Sequence, residues 1–466
     1  MSKYLPKILL LLLPLFCFIV FSSLSLYWSS YPYDAWRIYE IIIILLFTIC
    51  SFYSFHKNKF SFFKKNINHQ LLFFISLTIT ILTITTIFYS KIAERAISDI
   101  ALYTLLINFT LTSSYFFRIN RDFSGNIIAL IAILPILTLI FLPIAVWDRL
   151  KGGNGVWTQS FTNIRMLDDA LLPCLFLLWL QPAWLNAKKY NTVFKKNLIL
   201  TLTYIISIIY LLSFLFQGAR ACLLAISMGL IISIILTSKP KLNLLKIPLI
   251  SFLIAIILFN IYHLILSANT GSSITRTDSS GRIELWQKAI KIWLENPILG
   301  IGGNHFSLES PLLLSAHPHN IFLKFLAEWG ITTFFLLLII LIFFKKLYQY
   351  KNNIPTLLIA GLFAIMINTL LSGSLIYPVS QIINFSFFAL ILSFLPIYKI
   401  TMNSSYFNYQ KKLWIFISAL TVISILYVHG KDILCYPRIS IDEYGAPNFW
   451  DQGRAIHLNP ITDLKN

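Results

Sequence analysis

Three short stretches of this sequence carry side chains suited to handling a proton and a phosphate. In Ala316-His317-Pro318-His319-Asn320, two imidazoles stand two residues apart across a proline. An unperturbed imidazole titrates near pH ~6.5, so either histidine can take a proton from an attacking hydroxyl and release it again at neutral pH. In FLFQGARACLLAI, Arg220 is the only charged residue between two apolar runs. An arginine at membrane depth is costly unless it is paired or used. In TRTDSSGRIELWQ, Arg276 and Arg282 offer two planar guanidinium forks, and two such forks at a lipid headgroup boundary fit a pyrophosphate. Each stretch also has a plain reading: a snorkelling Arg220, a surface pairing of either loop arginine with Asp278, and solvated histidines. A metal is not expected, because beyond His305 and scattered acids the loop offers no third ligand.

The elements that must hold these residues are built for lipid. With 57% hydrophobic and 12% charged residues over 466 positions, the chain departs far from the composition of water-soluble domains. Apolar runs long enough to cross a bilayer recur at 8–28, 38–55, 71–90, 97–117, 127–147, 166–185, 197–216, 219–237, 246–268, 325–344, 354–371, 379–398 and 413–429. The expected fold is an all-α polytopic membrane protein of about 12–13 transmembrane helices. Lys3 and Lys7 precede a run with no small-residue cleavage site after it, so it is read as the first span and not as a signal peptide.

Residues 1–430 read as one transmembrane domain, interrupted by a single long polar loop at 269–324, and residues 431–466 as a short tail. The net charge of +19 is explained by basic residues gathered in alternate loops, at 56–70, 186–196, 238–246, 345–353 and 399–412. That is the positive-inside pattern; it leaves no need for nucleic acid and puts both the long loop and the tail outside the cytoplasm. Four of the five cysteines lie in apolar spans and only Cys435 in a polar segment, so no extracytoplasmic disulfide is expected.

Within the loop, IELWQKAIKIWL at 283–294 places Glu284, Gln287, Lys288 and Lys291 opposite Trp286, Ile290 and Trp293, a short amphipathic helix suited to the membrane surface. Glu284–Lys288 and Lys291–Glu295 are its expected ion pairs. Asn296-Pro297 ends it, and Gly300, Gly302 and Gly303 give a tight turn; GIGGN lacks the Gly-Lys-Ser/Thr of a P-loop. His263 is expected as a hydrogen-bonded interior residue.

SSGRIELWQKAIKIWLENPILGIGGNHF followed by AHPHNIFLKFLAEWGI, with QGAR at the end of an upstream span, resembles the O-antigen ligase family over about 200–390. The resemblance implies en bloc transfer of a glycan from undecaprenyl diphosphate at the periplasmic face of a bacterial inner membrane, without nucleotide sugar, cofactor or metal. By position it implies Arg220 and Arg282 as diphosphate-binding residues and His319, next to Asn320, as the residue that activates the acceptor hydroxyl. His317, lacking the adjoining Asn, is the alternative, and Arg276 and Asn320 are further candidates for substrate contact. Arg165, in FTNIRMLDD on the same predicted face, is another candidate for binding carrier or glycan. The family spans ligases acting on lipid A core, transferases acting on protein Ser or Thr, and polymerases, so the acceptor stays open. A transporter or flippase is the alternative of another class, disfavoured by nearly uncharged span centres and the lack of a repeat. A membrane scaffold ranks last.

Overall fold

Backbone in hydrocarbon must satisfy its own hydrogen bonds, and a single segment does so only as a helix. The computed structural model describes residues 4–22, 24, 32–56, 69–158, 161, 164–187, 193–237, 242–270, 281–309, 316–395 and 404–435. The chain begins with α1 (Leu5–Phe21), α2 (Pro32–His56), α3 (His69–Tyr89), α4 (Ala93–Ile119), α5 (Arg121–Ile133), α6 (Ile136–Leu139) and α7 (Leu142–Leu150). It continues with α8 (Ile164–Ala187), α9 (Val193–Gln217), α10 (Arg220–Leu236), α11 (Leu242–Thr270), α12 (Arg282–Glu295) and α13 (Phe306–Glu309). It closes with α14 (Ile321–Trp329), α15 (Thr332–Gln349), α16 (Thr356–Thr369), α17 (Pro378–Phe394) and α18 (Ser404–Cys435). No strand occurs among the described residues. The protein is an all-α polytopic membrane protein: α4, the row α5–α7, α9, α11 and α15 are long and apolar enough to cross a membrane, and shorter apolar helices pack among them. Arg276, Asp278 and the tail beyond Cys435 lie outside the described residues.

Each apolar run read from the sequence falls on a helix, but two runs are broken. The run at 127–147 is three short helices, because Pro135 and Pro143 each lack the N–H that would continue the preceding helix. The run at 325–344 breaks at Gly330, which has φ 51° and separates α14 from α15. A Cβ there would meet the Ile298 carbonyl oxygen at 2.5 Å. The break lets the glycine turn run alongside the end of α14: Ile301 N donates to Ala327 O at 3.1 Å, Gly302 N to Glu328 O at 2.9 Å, and Ile331 N to Ile298 O at 3.1 Å. The first two satisfy carbonyls at the end of α14 that otherwise have no partner. The turn is therefore a clamp on α14.

α4 and α8 run through the interior, α4 packing against α2, α17 and α18 and α8 against α5, α9, α16 and α17. α10 lies close along α16, where a Cβ on Gly229 would meet the Ala360 carbonyl at 2.4 Å. His263 packs edge-on against Phe259 and Tyr262, and its Nε2 finds no hydrogen-bond partner among the described residues, contrary to the bonded interior role expected of it.

Polar groups collect where helices begin. Arg37 and Glu40 pair near the start of α2, Asp99 lies near the start of α4, and Asp168 and Asp169 near the start of α8, all buried. Charge at these depths is retained only where it is partnered.

Candidate active site

The loop before α14 is fixed at both ends. Asn320 caps α14, its Oδ1 accepting the Leu323 N–H at 3.0 Å, so its side chain is committed to the helix. The indole Nε1 of Trp286 on α12 donates to the Pro318 carbonyl at 2.9 Å. Between these ties His317 and His319 stack edge-to-face with ring centroids 4.4 Å apart, both buried. His319 Nδ1 is buried with no hydrogen-bond partner among the described residues. Burial first, and then the positive charges of Arg165 and Arg282, push the His319 imidazole down to about 3. Burial, then His319 and Lys324, holds His317 well below the usual imidazole range.

Three arginines stand at helix starts. Arg282 is the first residue of α12, entered through Gly281 at φ 71°; it is half-buried and its Nε has no partner among the described residues. Arg220 is the first residue of α10, exposed, after a turn made by Gly218 at φ 65°. Arg165 lies in the first turn of α8. Arg282 lies within electrostatic reach of both others: it is held below its ordinary value by burial first, then by Arg165, with Asp169 opposing and Arg220 adding to the shift. Cations at helix N-termini work against the helix dipole, by about 0.3–1 kcal/mol each. Four helix starts, those of α8, α10, α12 and α14, thus carry Arg165, Arg220, Arg282 and, two residues ahead, His319.

Carboxylates beneath the arginines fix the frame. Asp169 accepts from Asn368 Nδ2 at 2.7 Å and Ser372 Oγ at 2.8 Å, tying α8 to the end of α16. The Gln217 amide, just before the Gly218 turn, is assigned with its nitrogen toward the Asp168 carboxylate, the orientation in which it donates to Oδ2 at 2.9 Å and accepts from Trp157 Nε1 at 2.8 Å. Below the histidine loop, Lys324 Nζ sits 2.9 Å from both Asp99 and Glu328, Trp329 Nε1 donates to Asp99 Oδ2 at 3.0 Å, and Phe306 N donates to Glu328 Oε1 at 3.1 Å. His305, weighed as a third metal ligand, is spent on backbone: its Nε2 accepts the Ile92 N–H at 3.0 Å and its Nδ1 bonds the Gly303 carbonyl at 2.9 Å. Among the described residues no group of three or more His, Cys, Asp or Glu side chains is gathered for a metal. On α12, Lys288 pairs with Glu309 at 3.4 Å and not with Glu284, while Lys291 lies 4.0 Å from Glu295.

Residues 205–338 match the O-antigen ligase family. The matched segment runs from within α9 into α15 and contains Arg220, Arg282, His317, His319 and Asn320; Arg165 lies upstream of it. The motif resemblance is thereby met over this stretch, and it supports a membrane glycosyltransferase of the O-antigen ligase and polymerase class. No curated protein and no solved structure matches the chain. The sequence reading assembled His319, Arg220, Arg282 and Arg165 but missed Asp99, Lys324, Asp169 and Tyr377. Asp99 left a signal, an acid inside an apolar run; Tyr377 left none, since its partner is 60 residues away.

Proposed function

We propose that this protein transfers an oligosaccharide en bloc from undecaprenyl diphosphate to an acceptor hydroxyl at the periplasmic face of a bacterial inner membrane. What supports the proposal is that Arg165, Arg220 and Arg282 stand at the starts of three helices and His319 just ahead of a fourth, with Arg282 in the field of both other arginines and His319 in the field of Arg165 and Arg282. Helix N-termini and guanidinium forks both favour a multiply charged oxyanion, and a lipid diphosphate is the anion that a membrane-embedded site of this kind meets.

In this reading Arg220 and Arg282 bind the diphosphate, with Arg165, and Arg276 from the loop, as further contacts to carrier or glycan. The acceptor oxygen forms its bond to the anomeric carbon as the bond from that carbon to the diphosphate breaks. Its proton passes to His319, and the electron pair leaves on the diphosphate, where the arginines stabilise the growing charge. Burial and the field of Arg165 and Arg282 keep His319 neutral and only weakly basic. Binding the anionic donor offsets the field of Arg165 and Arg282, so the imidazole becomes more basic when a hydroxyl is in place to be deprotonated. Guanidinium groups supply the positive charge that diphosphate departure needs, and the reaction is read as independent of metal and cofactor.

The test is cell-free transfer with purified protein, an undecaprenyl diphosphate oligosaccharide and two acceptors, lipid A core and a pilin-like protein. Glycan on one acceptor, retained with a chelator and lost in His319→Ala and Arg282→Ala, supports the reading and names the acceptor. Lengthening of the lipid-linked glycan itself identifies a polymerase. Movement of labelled lipid across a vesicle membrane with no new glycosidic bond overturns the transferase reading.

A further inference from the structure

His319 is one of two non-glycine residues with positive φ among the described residues, at 52°. That left-handed conformation crowds a Cβ, so something must hold it. The holding group is His317: the backbone N–H of His319 donates to His317 Nδ1 at 3.1 Å. A ring nitrogen that accepts an N–H carries no proton, so a neutral His317 bears its proton on Nε2. Nε2 lies 3.1 Å from the Tyr377 hydroxyl, to which it donates. Both nitrogens of this buried ring are spent on protein.

Tyr377 is itself held in a loop pinned from four helices. Ser372 donates to Asp169 on α8, and Asn384 Nδ2 on α17 donates to Ser374 O at 2.8 Å. Leu375 O accepts from Tyr103 on α4 at 3.1 Å and from Gln381 Nε2 on α17 at 2.8 Å. Arg37 on α2 donates to Ile376 O at 2.9 Å and to Gln381 Oε1 at 2.6 Å. Gly373 leaves the space for the two rings, since a Cβ there would lie 2.6 Å from Tyr377 Cε2 and 2.9 Å from His317 Cε1.

We infer that His317 is a positioning residue, a brace of fixed tautomer that transmits the placement of the Tyr377 loop to the backbone of His319 and so aims the imidazole at the arginines. This rests on the transferase reading above, in which His319 takes the proton. It assigns His317 no proton of its own to move, although both histidines are chemically competent bases.

The experiment compares His317→Asn and His317→Leu in the transfer assay. Asparagine places Oδ1 where Nδ1 stood and keeps the bond to the His319 N–H; leucine keeps bulk without an acceptor. The expected result is most of the wild-type rate for His317→Asn and a loss of about 10²-fold in kcat for His317→Leu, as for a catalytic group displaced by about 1 Å. KM for the lipid-linked donor stays near wild type in both, and the acid limb of the pH profile is unchanged in His317→Asn. A His317→Asn variant as inactive as His319→Ala overturns the brace. So that misfolding cannot decide the matter, 15N-histidine NMR on the wild-type protein reads the tautomer directly. A His317 protonated at Nε2 and bare at Nδ1 between pH ~5 and ~8 supports the inference, and Nδ1–H overturns it. A wild type that transfers nothing defeats the transferase reading instead, while the tautomer still decides the brace.

Discussion

At the scale of single residues, the proposed site sets three cations around a neutral base. The depression of His319 comes from burial and from Arg165 and Arg282, so protonation is disfavoured. Adding a diphosphate removes part of that field and moves the imidazole upward. Rate profiles are therefore expected to differ: kcat/KM, which reports free enzyme, stays flat as pH falls from 8 to about 5, whereas the acid limb of kcat lies at higher pH. Coincident limbs in the two profiles would contradict the electrostatic link. Arg282→Ala is expected to lower kcat/KM by about 10²–10³-fold, the loss typical of one oxyanion-stabilising donor. Arg282→Lys is expected to recover only part, because an ammonium supplies charge without the fork; titration of each variant with a lipid diphosphate separates binding from rate. The two family arginines and His319 were legible because charge and imidazole stand out against apolar neighbours. Their supports were not: His317 looked like a second base until its Nδ1 was seen accepting the His319 amide, a bond that depends on backbone conformation.

At the scale of elements, α14 is the piece that carries the histidine loop, and it is held by the buried Asp99–Lys324–Glu328 group and the glycine turn. Lys324→Met leaves two buried carboxylates without their cation and is expected to destabilise by roughly 3–5 kcal/mol. Replacing the whole group with Asp99→Asn, Lys324→Met and Glu328→Gln removes the uncompensated charge, so thermal unfolding in detergent is expected to return much of the lost midpoint. A triple variant no better than Lys324→Met would mean the charges act singly. The helices themselves were readable from apolar runs, since in lipid a run of that length has one way to satisfy its backbone. The break at Gly330 was not, because one charged residue and two threonines do not by themselves divide an apolar run. Its cause is the approach of Ile298 and Gly300 from elsewhere in the chain.

At the scale of the whole molecule, composition alone placed the chain in lipid, and the proposal that the site faces the periplasm rests on the distribution of its basic residues. Cysteine labelling in intact cells checks this. Glu284→Cys, on the exposed face of α12, is expected to react with an impermeant maleimide, and Tyr348→Cys, 57% exposed at the far end of α15, only after permeabilisation. The reverse pattern would put the site in the cytoplasm. The arginine cluster also has a bearing on turnover. In the proposed reaction the donor's terminal phosphate is esterified to sugar, and after transfer that oxygen is free and ionised. Spent carrier is thus more anionic than fresh donor, and Arg165, Arg220 and Arg282 grip it harder. Spent carrier is then expected to compete with fresh donor for the site, and a phosphatase trimming the released lipid at the same membrane face would relieve that competition.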